Sequence, residues 1–198
     1  MKIRDSAMPE QAVWDQFFDA PTVLQELQHP SEGDVVDIGC GFGTFSVAAA
    51  ALTAGTVHAL DIDSEMIAAT NDRARRAGYT NVKPILRDVA ADGTGLPDGS
   101  VAYVMLFNIL HAEDAPGLLR EAFRILSRGG CASIIHWVHD ARTPRGPALD
   151  IRPRPQQCRD WAASVGFIVH HPIVQLPPHH FGLVAQKPPG SPAGGTLP

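Results

Sequence analysis

The chain of 198 residues is long enough for one α/β domain with a full core and too short for two ordinary domains. Hydrophobic residues make up 44% and charged residues 19%, so the bulk of the chain is expected to fold, and a net charge of -5 gives no global positive field to gather phosphate backbones or anionic lipid. No run approaches the roughly 18 apolar residues that span a bilayer, and Cys40, Cys131 and Cys158 are odd in number and far apart; the expectation is a soluble cytoplasmic protein with reduced thiols, no nucleic-acid or membrane partner and no metal.

In chain order, Val13, Trp14, Phe17, Phe18, Val23, Leu24 and Leu27 recur at spacings that predict one or two amphipathic helices within residues 1–30, packed on the domain or capping its site. From Asp34, short β-branched runs alternate with helix-like segments: VVDI, TFSVAAAAL, TVHALDI, SEMIAATNDRARRA, VKPIL. This alternation predicts βαβ units and an open, mostly parallel sheet. Pro84 cannot donate to a ladder, so VKPIL belongs at a sheet edge. VAYVMLF follows as the fourth strand, then a helix from about Asp114 to Leu126, Gly129-Gly130 as its stop, and CASIIHWV as the fifth strand. A proline- and arginine-rich connection leads to the helix QQCRDWAASVG and to two apolar runs, FIVHHPIVQL and HHFGLVAQK, that predict an antiparallel pair. The domain is taken as residues 31–187. Seven of the last eleven residues, 188–198, are Pro or Gly, and a disordered tail is expected there.

The strongest local signal is Val35 to Gly43, VVDIGCGFG, a strand running into a glycine turn and then a helix near Thr44. Bare backbone in such a turn lets a ligand approach and sit on the helix N-terminus. A dinucleotide fingerprint would place Gly or Ala where Thr44 stands, which disfavours a nicotinamide-dependent oxidoreductase. Asp61 ends the second strand at the position where an acid can accept from both hydroxyls of a ribose. Asp63, its neighbour, should point the other way and cap the helix that starts at Ser64.

Together VVDIGCGFG, LDIDSEM, RDVAADGTGLPDGSVAYVMLFNILH and EAFRILSRGG resemble the class I S-adenosylmethionine-dependent methyltransferases, most closely the ubiquinone and menaquinone biosynthesis type, over roughly Asp34 to Val138. The resemblance implies a three-layer Rossmann-like fold with a seven-stranded sheet in the order 3-2-1-4-5-7-6 and an antiparallel last strand. It also implies site roles. Gly39, Cys40, Gly41 and Gly43 would border the methionine part of S-adenosylmethionine, and Asp37 would organise its amino group. Asp61 would hold the ribose, with Ile62 and Met66 against the adenine faces. Asp88 and Val89 would meet the adenine edge, and Asn108 would stand near the sulfonium.

A sulfonium methyl is already activated, so in-line transfer to a small-molecule acceptor needs alignment and, for a hydroxyl or acidic carbon, a general base. His111, just past the fourth strand, is the first candidate base; His136 and His139 are the second. The alternative is a protein of the same fold that binds S-adenosylmethionine or S-adenosylhomocysteine without catalysis. Arg142, Arg145, Arg152 and Arg154 form either an anion-binding loop or solvated charge. The pairs His170-His171 and His179-His180 do not suit one shared ion, because adjacent strand residues face opposite ways. A monomer or homodimer is expected.

Overall fold

The computed structural model describes residues 11–169 and 172–190. Eight strands form one sheet: β1 (Val35–Ile38), β2 (Val57–Asp61), β3 (Val82–Leu86), β4 (Val101–Phe107), β5 (Leu126–Trp137), β6 (Ile168–Val169), β7 (Val174–Leu176) and β8 (His180–Gln186). The order is β3-β2-β1-β4-β5-β8-β6, with β7 also on β8. The strands from β3 to β5 run parallel, and β8 is antiparallel to β5. Both β6 and β7 pair with β8, in registers offset by two residues, so the expected sixth strand is present as two short pieces. His170 and His171 lie between them, outside the described residues, as does 191–198 of the expected tail. Pro84 sits on the edge strand, opposite Ala59 of β2.

The helices are α1 (Gln11–Trp14), α2 (Ala20–Glu26), α3 (Thr44–Leu52), α4 (Ser64–Ala77), α5 (Val89–Asp92), α6 (Ala115–Ile125) and α7 (Pro155–Val165). Short acidic side chains start four of them, with Asp19 at the head of α2 accepting from the Thr22 N–H. The backbone N–H of Glu65 donates to Asp63 at 2.8 Å and that of Gly117 to Asp114 at 2.8 Å, while Ala90 and Ala91 donate to Asp88, which satisfies donors that a helix start leaves open.

Strand β4 shows why the sheet is a middle layer. Tyr103, Met105 and Phe107 enter one apolar cluster with residues of α2, α3 and α4, whereas Val104 and Leu106 enter another with α6 and α7. A period of two on a strand buried on both faces produces this split, and each fully buried large side chain contributes about 1.5–3 kcal/mol. Leu24 and Leu27 of the N-terminal segment are fully buried in the first cluster, and the Tyr103 hydroxyl donates to the Leu27 carbonyl at 2.7 Å.

One boundary differs from expectation. Helix α6 ends at Ile125, and Gly129-Gly130 lies inside β5, where the register with β4 shifts between Val101 and Tyr103. The Lys187 ammonium supplies the reason: it donates to the carbonyls of Phe123 and Leu126, both at 2.7 Å, and so satisfies the helix end without a glycine cap. The glycines instead serve the bulge. Among the described residues no helix is long and apolar enough to cross a membrane.

Candidate functional site

A cavity of about 520 Å³ opens over the carboxyl ends of β1 to β5, a size typical of small-molecule sites. The β1 turn contributes Asp37, Gly39, Cys40 and Gly41. The end of β2 adds Asp61 and Ile62, with Met66 from α4; the end of β3 adds Asp88 and Val89; the chain beyond β4 adds Asn108 and His111. Three of the expected site residues, Gly43, His136 and His139, do not line it.

Gly43 is explained by packing. At φ +74° it precedes α3, and a Cβ there would lie 2.8–3.0 Å from Thr70 atoms, one of them backbone, so the residue lets α3 close on α4. Gly39, at φ +77°, does the same for the chain beyond β4: a Cβ would meet Ile109 at 2.8 Å.

The acids differ in their surroundings. Asp37 is buried and receives the Ser46 hydroxyl at 2.5 Å; burial pushes its pKa up to about 7. Asp61 accepts from the N–H of Gly41 at 2.9 Å and of Asp63 at 3.0 Å, which fixes its rotamer and leaves each oxygen further lone pairs. Burial moves its pKa upward too. Burial pushes the Cys40 thiol far above its ordinary range, so it is a neutral wall group and no nucleophile.

Asn108 stands apart. It holds φ +54°, its N–H donates to the Ile135 carbonyl at 2.7 Å, and both polar atoms of its side-chain amide are buried without a partner. A left-handed non-glycine residue with an unsatisfied buried amide on a cavity wall is where a ligand contact is to be sought.

His111 is 5% exposed, on the cavity side. His136 is fully buried behind it, ring centroids 5.6 Å apart in an edge contact, and burial drives its pKa well below the ordinary value. The catalytic expectation for His136 meets strand alternation: Trp137, its neighbour on β5, takes the cavity face and His136 the other. His139 is held in the following loop, a ring nitrogen 2.9 Å from the Arg152 carbonyl.

The arginine-rich loop does not serve the cavity either. Arg152 is buried and donates to the carbonyls of Pro147 (2.6 Å) and Val138 (3.1 Å) and to the Thr143 hydroxyl (2.5 Å), tying the loop together from inside. Arg142 pairs with Asp140 on the surface.

Sequence reasoning missed the aromatic wall. Trp14, Phe45, Phe107 and Trp137 line the cavity, with Phe45 and Phe107 in edge contact at 4.6 Å. Trp14 is kept there by its neighbour Asp15, whose carboxylate accepts from the Thr44 hydroxyl at 2.8 Å and from Arg73 at 2.7 Å. Among the described residues no three His, Cys, Asp or Glu side chains come together to hold a metal ion.

A family described as a methyltransferase domain matches residues 35–130. The chain is 33% identical over 111 residues to the aklanonic acid methyltransferase DauC of Streptomyces sp. strain C5, covering 54% of this chain and 50% of that protein. It is 32% identical over 162 residues to the ribosomal protein L11 methyltransferase of Limosilactobacillus reuteri, covering 76% of this chain and 46% of that one. The chain thus spans about half the length of these two relatives. A SAM-dependent methyltransferase from Aquifex aeolicus shares the fold with a TM-score of 0.79 at 22% identity, over 89% of this chain and 93% of that one. The [4+2]-cyclase SpnF shares it with a TM-score of 0.74 at 17% identity, over 94% and 85%. Residues 35–130 thus form a methyltransferase domain, and the glycine turn and the sheet order give the chain the fold of the class I S-adenosylmethionine-dependent methyltransferases.

Proposed function

We propose that this protein transfers a methyl group from S-adenosylmethionine to a small-molecule acceptor. The observation that carries the reading is that one recessed cavity joins the glycine turn and the Asp61 carboxylate to the unpartnered Asn108 amide and to His111. Bound S-adenosylmethionine supplies a methyl already activated on a sulfonium centre.

The residues present fit that group. Asp61 has acceptor capacity left for ribose hydroxyls, Gly39 and Gly41 leave backbone uncovered beside Cys40, and Asn108 has an amide in need of a partner. In this reading Asp37 balances the amino group, Ile62 and Met66 flank the adenine, and Asp88 and Val89 meet its edge. The protein's own chemical contribution is to exclude water, align the acceptor and accept its proton at a His111 ring nitrogen. His136 supports that ring from behind. A recessed cavity of this volume, walled by rings, suits a small acceptor better than a side chain of a folded protein.

Titration calorimetry with S-adenosylhomocysteine tests the first half, and the expected result is one-site binding. Asp61→Ala should weaken it by about 1–3 kcal/mol, through ribose hydroxyls left without an acceptor. Unchanged affinity in that variant would remove Asp61 from the site. The second half is read as S-adenosylhomocysteine released from S-adenosylmethionine with phenols, quinols, amines and thiols offered as acceptors. Tight binding with no release for any of them would favour a non-catalytic binding protein, a reading that the shared fold of a cyclase keeps in view.

A further inference from the structure

Charge is distributed unevenly along the cavity. In the spatial order β3-β2-β1-β4-β5, the acids and the guanidinium that reach the wall from the described residues come from the ends of the first three strands: Asp88 and Arg87, Asp61 and Asp63, then Asp37. From β4 onward, and from α1 and α3, no Asp, Glu, Lys or Arg side chain among the described residues reaches the wall. That part is faced by Trp14, Phe45, Phe107 and Trp137, with His111 and Thr44 as neutral polar groups and Asn108 at the junction.

The rings are braced as well as present. Phe45 packs on Phe107 at 4.6 Å and on Phe18 at 5.1 Å, and Trp14 packs on Phe18 at 5.1 Å, so the wall is rigid and its flat faces are preset. The loop after β5 closes behind Trp137, where a Cβ on Gly146 would approach the indole to 2.8 Å, and the buried Arg152 guanidinium holds that loop with six hydrogen bonds spent entirely on protein oxygens. None of those donors remains to meet a carboxylate in the cavity.

From this segregation we infer that the β4–β5 half of the cavity is a subsite for a flat, uncharged aromatic acceptor carrying a hydroxyl, its ring against Trp137 and Phe107 and its hydroxyl donating to His111. An ammonium or carboxylate entering the same space would lose its hydration with no opposite charge among the described wall residues to meet it, which costs far more than placing a neutral hydroxyl there. A phenol loses little on entry and recovers a hydrogen bond. The inference rests on the methyl-transfer reading for calling the ligand an acceptor, but the selectivity itself belongs to the wall.

Calorimetry on the full chain, with and without saturating S-adenosylhomocysteine, tests it with three probes of one shape: 2-naphthol, 2-naphthoate and 2-naphthylmethylammonium. The expected result is that 2-naphthol binds and each charged partner binds at least about 100-fold more weakly. His111→Leu should lower 2-naphthol affinity about tenfold and leave 2-methylnaphthalene affinity unchanged, the difference between a ring contact and a hydrogen bond. Trp137→Ala should abolish binding of both; because Trp137 is buried, Phe107→Leu serves beside it should the first variant fail to fold. Either charged probe binding as tightly as 2-naphthol, or equal losses for naphthol and methylnaphthalene in His111→Leu, would overturn the inference. S-adenosylhomocysteine bound without naphthol overturns it too and leaves the nucleoside reading intact; naphthol bound selectively without S-adenosylhomocysteine supports it and overturns that reading.

Discussion

At the β1–β3 end the cavity is lined by bare backbone and carboxylates, each acid held by a neighbouring N–H or hydroxyl: Asp61 by Gly41 and Asp63, Asp37 by Ser46, Asp88 by the start of α5. At the β4–β5 end it is lined by rings, and the groups behind them, His136 and His180, are buried and kept uncharged. The first end is built by segments close in sequence to their own strands. The second is assembled from parts as distant as α1, the loop after β5 and β8, so its shape depends on long-range packing. The two ends should therefore respond separately to substitution.

The largest separation is expected from Arg152. Its guanidinium donates to five oxygens within residues 138–147 and so shapes the loop that backs Trp137. Arg152→Met leaves the buried Pro147 carbonyl and the half-buried Val138 carbonyl without this donor, a loss of about 3 kcal/mol. For a chain of this length that corresponds to a fall of about 6–12 °C in Tm. Below the new midpoint, S-adenosylhomocysteine affinity should persist while 2-naphthol affinity falls. Equal falls in both would show that the two ends form one cooperative unit.

The next effect uses pH, to which the two ends answer with opposite signs. His180 packs against Trp137, ring centroids 4.1 Å apart, and against Phe18, and burial pulls its pKa from 6.5 to about 3; burial moves His136 the same way. Below pH 6.5 the unfolded chain takes up protons that the folded chain refuses, so these histidines erode stability as the pH falls, His180 by about 2 kcal/mol between pH 7 and 5. Asp37 works against them. Its pKa is raised from 3.8 to about 7, so the folded chain keeps a proton that the unfolded chain releases, and about 2 kcal/mol returns between pH 7 and 5. In Asp37→Asn that offset is gone, and urea titrations should show a loss of stability toward pH 5 that is steeper by about 2 kcal/mol. Parallel slopes would mean that Asp37 is ionised throughout.

The same division governs how much could be read from the chain alone. The β1–β3 end announces itself because its chemistry is local: VVDIGCGFG needs bare backbone at fixed spacing, Asp61 follows at a strand end, and Asp63 precedes a helix whose first N–H groups need an acceptor. Pro84 marks an edge because one missing donor decides it. The aromatic wall gives no such notice. Trp14, Phe45, Phe107 and Trp137 have the spacing of ordinary core residues, and whether a ring meets another ring or an open space is settled only when distant segments meet. His136 shows the same limit, since which of two consecutive strand residues faces the cavity is fixed by register and not by residue type. Among four arginines in one loop, only folding singles out Arg152 for burial. Gly129-Gly130 has the look of a helix stop, yet Lys187, more than fifty residues later, satisfies the helix end and leaves the glycines to a bulge.

The smallest predicted effect isolates the part of the wall with least support of its own. Helix α1 has four residues, too few to persist without external contacts. Asp15 provides them by accepting from the Thr44 hydroxyl and from Arg73, which also donates to Thr44 at 2.9 Å and to the Phe42 carbonyl at 3.3 Å. Asp15 and Arg73 side chains are 31% and 25% exposed, so solvent screens the pair in part, and Asp15→Ala should lower global stability by only about 1 kcal/mol. Its effect on binding should be uneven. Trp14 is the only residue of α1 on the cavity wall, so loosening α1 should reduce 2-naphthol affinity by about fivefold, the equivalent of that same energy. Asp61, Gly39 and Gly41 keep all their own contacts in the variant, and S-adenosylhomocysteine affinity should change by less than about twofold, within ordinary surface-substitution effects. Calorimetry on one preparation reads both numbers. Were the nucleoside ligand to lose as much as the naphthol, α1 would have to be counted as part of both ends, and the division between them would lie at the sheet rather than along the cavity.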